Sequence, residues 1–329
     1  MLFRSHMLSA AVLLVLLVLC LGANAVESSL AAHQLTRARD AAERLDYSGT
    51  LIQQQGPAMK TSRIIHQADA RGGSERNIPL EGPPREYLAR GEDITWYLPA
   101  ERRIVQERRS AVHSFPALAF TDIASLLRHY RADALPSDRV AGRAAQVMQL
   151  RSIDGLRYGY RFWFDVATGL MLRVQSINET EQVVAQTGFS QLVFVSPSVQ
   201  RKSAPRFDTR GWRIDRVVSE PGDLSGWTFR LPAGFRLVAA QRRVIPQAQS
   251  GTGEPREVLQ AMFSDGLSVI SIFIEPWSVL RSSNPVQRAA VNMVGKRVGK
   301  FWLTIVGEIP MAAVRRIADT LEFSASATK

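Results

Sequence analysis

The sequence predicts an α+β protein of two domains, in which antiparallel β-sheets form most of the structure and a few helices pack on them. The first observation is the length, because 329 residues exceed the roughly 100–200 residues of one typical domain. The second is a series of short runs with apolar residues at alternate positions, separated by Gly, Pro or charged residues. The third is the apolar share of 46%, which is ordinary for a globular chain and excludes a mainly disordered one.

The first 25 residues predict a secretory signal peptide. Arg4 gives the charged start, residues 7–21 form an uncharged apolar stretch, and Ala23-Asn24-Ala25 supplies small residues for cleavage after Ala25. An uncleaved membrane anchor is the alternative, but the stretch is shorter than the roughly 20 residues that span a bilayer. Cleavage would remove Cys20, the only cysteine, and leave a mature chain without disulfides or cysteine zinc ligands.

Residues 26–200 predict the first domain. The segment 26–45 has apolar side chains at helical spacing, and 121–130 has the pattern of a shorter helix with Thr121 as its N-cap. The runs that predict strands are 47–53, 61–67, 85–90, 94–98, 104–108, 144–151, 158–165, 170–178, 182–187 and 191–196. Residues 165–169 predict a hairpin loop, because Gly169 can take a positive φ.

Residues 201–216 predict a basic linker, since they contain six Lys or Arg residues and lack apolar periodicity. Residues 217–329 predict a smaller second domain. Its expected strands are 226–231, 235–246, 257–264, 267–275 and 300–306. Pro310 is expected to open an amphipathic helix that closes this domain.

The formal net charge of +11 is distributed unevenly along the chain. The first domain carries a net +2, whereas the linker and the second domain carry a net +4 each. The positive electrostatic potential of the linker and the second domain should attract acidic partners, so we expect such partners to bind the C-terminal part of the chain. Because an exported protein seldom meets chromosomal DNA, we expect no nucleic-acid partner.

The sequence contains no recognisable catalytic centre or metal site. It has no G-x-S-x-G nucleophile motif, and none of its histidines is paired at i, i+4. Gly251-Thr252-Gly253 lacks the third glycine of a dinucleotide-binding fingerprint. We therefore predict a protein that is not an enzyme and that uses neither a metal nor a cofactor.

Large apolar side chains mark a candidate ligand site in the first domain. Tyr158, Tyr160, Phe162 and Phe164 share one face of a predicted strand by period-two alternation, and Trp96 lies on another strand. One interpretation is that they form a packed core. The other is that they line a groove, within a curled sheet, that binds an acyl chain.

Short motifs along the chain occur in the order typical of the MucB/RseB family. They are Tyr47-Ser48-Gly49-Thr50, Ile64-Ile65-His66, Leu80-Glu81-Gly82-Pro83-Pro84-Arg85-Glu86, Trp96-Tyr97-Leu98-Pro99, Arg139-Val140-Ala141-Gly142-Arg143, Arg157-Tyr158-Gly159-Tyr160, Thr168-Gly169-Leu170 and Val306-Gly307-Glu308-Ile309-Pro310. The chain therefore resembles this family over nearly all of its expected mature length.

The resemblance implies a more specific fold and function. The first domain would be a LolA/LolB-like unclosed antiparallel β-barrel with a helical lid, followed by a smaller C-terminal α+β domain. The protein would be a periplasmic negative regulator of the envelope-stress sigma factor. It would bind the periplasmic part of a membrane-spanning anti-sigma factor and shield it from regulated proteolysis, and lipid or lipopolysaccharide would release the complex. The family offers no catalytic residue to carry over.

A periplasmic lipoprotein or lipid carrier of the LolA/LolB type is the alternative function. A carrier needs only the first domain, so the additional basic domain favours a protein partner. The arginines expected to contact that partner are Arg230, Arg236, Arg242, Arg243 and Arg256, because the planar guanidinium suits paired contacts to carboxylates. The sequence leaves open whether the chain forms a homo-oligomer.

Overall fold

The computed structural model of the chain describes residues 27–69, 73–108, 115–116, 122–194, 207–217, 219–245, 256–277 and 284–324. The expected signal peptide, Thr121, the end of the predicted first domain (195–200) and the start of the predicted linker (201–206) lie outside these residues. Within the described ranges, no helix is long and apolar enough to cross a membrane.

In the described residues of the first part of the molecule, two α-helices pack with twelve strands. Helix α1 comprises residues 27–44, and the short helix α2 comprises Ile123–Leu127. The strands are β1 (Tyr47–Gln55), β2 (Ala58–Gln67), β3 (Ser74–Pro79), β4 (Glu86–Arg90), β5 (Asp93–Leu98), β6 (Arg103–Arg108), β7 (Tyr130–Val140), β8 (Arg143–Ser152), β9 (Gly159–Asp165), β10 (Met171–Ile177), β11 (Val183–Phe194) and β12 (Arg213–Val217).

These strands form one sheet in the order β12-β6-β5-β4-β3-β2-β1-β11-β10-β9-β8-β7. Neighbouring strands run antiparallel, except that β12 pairs in parallel with β6. The two end strands, β12 and β7, do not pair with each other, so the sheet formed by the described strands is unclosed. This confirms the predicted unclosed antiparallel sheet.

Helix α1 covers this sheet with its apolar face. Leu35 and Ala38 are fully buried in one core cluster with Leu150 and Phe162 of the sheet. Ala41 and Ala42, one turn later, pack in the cluster that contains Tyr47 and Leu170. Because burying a large apolar side chain contributes roughly 1.5–3 kcal/mol, this face holds the helix on the sheet.

As far as the structure describes it, the second domain is a smaller sheet with one covering helix. Its strands are β13 (Glu220–Pro221), β15 (Arg236–Ile245), β16 (Arg256–Ser264), β17 (Val269–Pro276), β18 (Val286–Arg288), β19 (Val291–Val298) and β20 (Phe301–Gly307). They pair antiparallel in the order β13-β15-β16-β17-β20-β19-β18, and β14 (Trp227–Thr228) pairs separately with β21 (Glu322–Phe323). Helix α3 (Met311–Thr320) follows Pro310 and buries Val314 and Ile317 against Ile272 and Ile305.

The structure confirms the two main predicted helices and the hairpin. Residues 27–44 and Met311–Thr320 are helical, and Gly169 has a φ of +83° in the loop between β9 and β10. The N-cap of α2 was predicted wrongly: Asp122 holds that position, and its carboxylate accepts a hydrogen bond from the Ser125 N–H at 2.8 Å. An aspartate at this position satisfies a free N–H of the first turn.

The end of the predicted linker belongs to the first sheet. Residues 213–217 form strand β12, and the Arg213 N–H donates to the Arg102 carbonyl oxygen at 3.0 Å. The interpretation of residues 201–216 as a linker throughout is therefore corrected at its C-terminal end, because β6 offers an edge that these backbone groups can pair with.

Candidate functional site

A cavity of about 480 Å³ lies where the first sheet faces the second domain. Phe162 on β9 and Met171 and Val174 on β10 form part of its apolar wall from the first domain. Leu267 and Val269 contribute from the second domain. This volume lies within the roughly 300–1,000 Å³ of small-molecule sites, and the cavity is a candidate ligand site because Tyr160 and Phe162, two of the residues predicted for such a site, line it.

The aromatic side chains predicted on one strand face form a stacked row. The rings of Tyr160 and Phe162 are 6.0 Å apart at 15°, and those of Phe162 and Phe164 are 5.7 Å apart at 22°. Tyr160 and Phe162 line the cavity, whereas Phe164 is fully buried in the core and does not line it. Tyr158 precedes β9, and its hydroxyl accepts a hydrogen bond from Asn292 of the second domain at 2.9 Å.

Trp96 lies away from this row. It is on β5, which six strands separate from β9 in the sheet order. Its ring packs 5.0 Å from that of Tyr87, and its Nε1 donates to Glu107 Oε1 at 3.0 Å. It does not line the cavity. The structure therefore brings together two of the five residues predicted for the ligand site, Tyr160 and Phe162, at the cavity wall.

The first domain also gives this cavity a polar, mostly uncharged border. Besides Tyr160, the first-domain lining residues with amide, hydroxyl or ammonium groups are Gln53, Gln54, Gln55, Lys60, Ser176, Gln186 and Thr187. Gln186 Oε1 accepts a hydrogen bond from Gln175 Nε2 at 2.6 Å. An apolar wall with a few hydrogen-bonding groups beside it is the usual construction of a site for an amphiphilic ligand.

A buried ion pair joins the two domains next to the cavity. Arg157 of the first domain donates from Nη1 to Asp265 Oδ2 of the second at 2.8 Å, and both side chains are almost completely excluded from solvent. The Arg157 Nη2 donates to Asp154 Oδ2 at 2.8 Å and to the Ala233 carbonyl oxygen at 2.6 Å. The Tyr130 hydroxyl donates to Asp265 Oδ2 at 3.2 Å. The guanidinium is thus satisfied from both domains, as a buried charge requires.

Burial acts to raise the pKa of Asp154 in this cluster. Hydrogen bonds from the Arg157 guanidinium and from the Leu156 N–H outweigh burial and hold that pKa below its usual value. The carboxylate therefore remains ionised beside Arg157 at neutral pH.

The loop of residues 264–268, between β16 and β17, belongs to both the cavity and the domain junction. Asp265 Oδ1 accepts from the N–H groups of Leu267 at 3.0 Å and Ser268 at 2.8 Å. The Ser268 Oγ lies 3.0 Å from the Tyr160 hydroxyl. Leu267 packs on the core of the first domain, and Leu156 of the first domain packs on the core of the second. Any shift of this loop must therefore disturb the contact between the domains.

The arginines predicted to contact a partner lie in different surroundings. Arg236 Nη2 lies 3.4 Å from Asp122 Oδ2 and 3.1 Å from Ser125 Oγ, so this side chain contacts the first domain. Arg242 forms an exposed ion pair with Glu257 at 3.0 Å, and Arg243 donates to Gln260 Oε1 at 3.2 Å. Arg230 is exposed, and the side chain of Arg256 lies outside the described residues.

Sequence reasoning missed the domain junction and a second cavity. The partners Arg157 and Asp265 are 108 residues apart, and no local pattern marks either of them as buried. The second cavity, of about 560 Å³, lies between the end of β6 and the face of the second sheet that α3 does not cover. The described part of the chain contains no group of three His, Cys, Asp or Glu residues placed to hold a metal ion.

Family models match both parts of the chain. The MucB/RseB N-terminal domain model matches residues 30–207, and the MucB/RseB C-terminal domain model matches residues 221–322. Sigma-E factor regulatory protein RseB of Escherichia coli (strain K12) is 26% identical over 314 residues, covering 94% of this chain and 95% of the relative. Sigma factor AlgU regulatory protein MucB of Pseudomonas aeruginosa is 27% identical over 329 residues, covering 96% and 98%.

Two solved structures share the fold. MucB in a crystal structure with MucA(peri) is 24% identical and has a TM-score of 0.67, covering 89% of this chain and 99% of that one. MucB in the MucA/MucB complex structure from Pseudomonas aeruginosa is 23% identical and has a TM-score of 0.68, covering 90% and 99%. The two-domain architecture described above is therefore that of a solved group of proteins.

Proposed function

Because the chain belongs to the MucB/RseB family, we propose that it is a periplasmic regulator that binds the periplasmic part of a membrane-spanning anti-sigma factor. In binding, it shields that segment from regulated proteolysis and keeps the envelope-stress sigma factor inactive. The observation that carries this proposal is the match of both family domains, in order, over nearly the whole chain. Curated relatives of similar length are named sigma-E or AlgU regulatory proteins, and MucB has been solved with MucA(peri).

The periplasmic location rests on the first 25 residues. Their charged start, apolar stretch and Ala23-Asn24-Ala25 exit are typical of an exported protein. The periplasmic segment of an anti-sigma factor is accessible only from that compartment. The predicted export of this protein is therefore consistent with the proposed partner.

The partner would contact the basic second domain. Arg230 and Arg242 are exposed, and Arg243 lines the second cavity. The ion pair between Arg242 and Glu257 is open to solvent, so it contributes little to stability and can be exchanged for a partner's carboxylate. Arg256 is assigned to this surface only from its position in the sequence. Arg236 is assigned to the border of the surface, because the Arg236 side chain contacts Asp122 of the first domain.

The cavity would bind the signal that releases the partner. An acyl chain of a lipid or lipopolysaccharide fits its apolar wall of Phe162, Met171, Val174 and Leu267. Leu267 belongs to the loop that holds Asp265 against Arg157. A ligand bound in the cavity would therefore contact the same loop that holds the two domains together.

A lipid or lipoprotein carrier of the LolA/LolB type is favoured by the cavity alone. The carrier function does not explain why the second domain is fixed to the first by a buried ion pair and an exchange of apolar side chains. The regulator explains both the cavity and the second domain, and it requires no catalytic residue.

The test is calorimetric titration of the full processed protein with the periplasmic segment of the anti-sigma factor encoded in the same genome. We expect saturable binding that weakens as salt rises, because exposed charges are screened. The double variant Arg242→Glu/Arg243→Glu should weaken binding by about tenfold, equivalent to ~1.4 kcal/mol.

The matched control is Arg315→Glu/Arg316→Glu, which makes the same charge change on exposed positions of α3. It should leave the affinity within about twofold at the same ionic strength, because screening limits the effect of distant charges. Absence of binding by the unmodified protein would refute the regulator function. Equal losses in both double variants would refute the proposed surface alone.

A further inference from the structure

Glu308 lies where the two cavities meet. It follows β20 in the turn that leads to α3, between Gly307 and the fully buried Ile309. The 480 Å³ cavity and the 560 Å³ cavity share three lining residues, Leu267, Val269 and Glu308. Two of the three are apolar, so the carboxylate is the polar group at the common boundary of both spaces.

The Glu308 carboxylate has no partner within the part of the chain that the structure describes. The other charged residues on the wall of the second cavity are engaged: Glu107 accepts from Trp96 Nε1, Arg108 pairs with Glu92 at 2.9 Å, and Arg243 donates to Gln260. Burial raises the pKa of Glu308, and no charge among the described residues offsets this effect, including that of Lys60 on the wall of the first cavity.

Glu308 is partly buried, and an ionisable group in such a position is costly to the extent that it is shielded from water, unless something binds it. A carboxylate withdrawn from water without a partner destabilises the folded chain, and such groups in proteins are normally paired, metal-bound or protonated. Among the described residues Glu308 forms no hydrogen bond or ion pair, and it lines both cavities. A desolvated acid in a cleft is a candidate for ligand recognition.

The surroundings narrow the chemistry of that ligand. Phe162, Met171 and Leu267 offer an apolar wall for an alkyl chain, and the volumes suit a single-chain amphiphile rather than a folded partner. A phosphate or carboxylate placed at Glu308 would bring like charges together. A primary ammonium group supplies three donors and the opposite charge.

We propose that Glu308 determines the ligand specificity of the cavity by binding the primary ammonium group of an amphiphile whose alkyl chain lies against Phe162, Met171 and Leu267. This inference deepens the lipid part of the proposed function and rests on it. Its test uses no anti-sigma segment, although Arg243 of the surface proposed for the anti-sigma factor also lines the second cavity.

The experiment compares dodecylamine, dodecanol and dodecanoate by calorimetric titration of the full processed protein, below the micelle-forming concentration of each ligand. A charge-assisted hydrogen bond predicts that dodecylamine binds about tenfold more tightly than dodecanol, with dodecanoate weakest. Equal binding of the amine and the alcohol would overturn the inference, and this comparison needs no variant.

Glu308→Gln keeps the shape and removes the charge. It should abolish the preference for dodecylamine and leave the binding of dodecanol unchanged. Glu322→Gln, an exposed glutamate in the same domain, is the matched control and should keep the preference. A preference that survives in Glu308→Gln would overturn the assignment to this residue.

Two lysophospholipids distinguish a headgroup from a free amine. Lysophosphatidylethanolamine carries a primary ammonium, whereas lysophosphatidylcholine carries a quaternary one that cannot donate hydrogen bonds. Tighter binding of the first by about tenfold assigns the site to a lipid headgroup, and equal binding with the dodecylamine preference intact assigns it to a simple alkyl amine. If no alkyl ligand binds, this inference and the lipid part of the proposed function both fail, while titration with the anti-sigma segment still tests the regulator function.

Discussion

Phe162 serves two purposes at once, and this limits how the cavity can be probed. Its side chain is fully buried and stacked between Tyr160 and Phe164, yet one side of it lines the cavity. Phe162 is therefore both a core residue and a cavity-lining residue, so both interpretations of the aromatic strand apply to it. A charged replacement such as Phe162→Asp would place an unpaired carboxylate in the core and unfold the domain rather than report on ligand binding.

Val174 is the better probe of the cavity. It lies on β10, is only partly buried and lines the same wall. Val174→Phe should fill part of the space and exclude two or three methylene groups of an alkyl ligand, each contributing ~0.8 kcal/mol. We expect calorimetric titration to show dodecanol binding weakened by about tenfold or more, since 1.4 kcal/mol corresponds to tenfold.

Val183→Phe provides the control for this measurement. Val183 is exposed on β11 and does not line the cavity, so the same change there should leave dodecanol affinity and thermal stability nearly unaltered. Undiminished binding in Val174→Phe would mean that alkyl chains bind elsewhere.

At the scale of elements, β12 joins the end of the predicted linker to the first sheet. Its parallel pairing with β6 predicts slow amide hydrogen exchange at Arg213, whose N–H donates to Arg102. Arg213→Pro removes this donor and should increase exchange throughout residues 214–217, whereas Arg213→Lys keeps both donor and charge and should not. Rapid exchange of residues 213–217 in the unmodified protein would contradict the pairing.

The elements that sequence reasoning predicted well are those with a strong local pattern. Helices α1 and α3 have apolar residues at helical spacing that match their buried faces, and strands β8 to β10 fall within apolar-rich runs that predicted strands. The sequence did not reveal β7, which lies at the edge of its sheet, contains Pro136 and exposes about half of its residues. A similar difficulty applies to β19, where Gly295, Lys296 and Arg297 interrupt the pattern.

The sequence allowed prediction of only those cavity-lining residues that lie on a single strand, β9. Period-two alternation placed Tyr160 and Phe162 on a common face, and both line the cavity. The other wall comes from the 264–268 loop, about 100 residues later in the chain, and only the packing of the domains brings it there. Glu308 belongs to the Val306–Pro310 family motif, but no sequence pattern shows that its side chain lines two cavities.

At the scale of the whole molecule, the junction between the domains depends on Arg157. The side chain contacts Asp154, Asp265 and the Ala233 carbonyl oxygen, and its guanidinium lies 5.2 Å from the ring centre of Phe235. Removing one member of such a pair leaves the other charge buried and uncompensated. Arg157→Met should therefore lower the free energy of unfolding by about 3–5 kcal/mol, measured by denaturant unfolding.

A double-mutant cycle measures the coupling free energy between Arg157 and Asp265 separately from other effects of each substitution on stability. Arg157→Met/Asp265→Asn should cost less than the sum of the two single changes, because no buried charge then remains at position 265. Arg210→Met removes an exposed Arg–Asp pair and should change stability by less than ~0.5 kcal/mol. Strict additivity in the cycle would show that Arg157 and Asp265 do not stabilise the junction together.

A protection assay tests whether this protein shields an anti-sigma factor from proteolysis. The periplasmic segment of the anti-sigma factor is incubated with its activating protease, with and without the full processed protein, and intact segment is followed by gel electrophoresis. We predict that a saturating amount of the protein prevents cleavage, and that Arg242→Glu/Arg243→Glu protects only at higher concentration. Cleavage at the same rate with and without the unmodified protein would contradict the account.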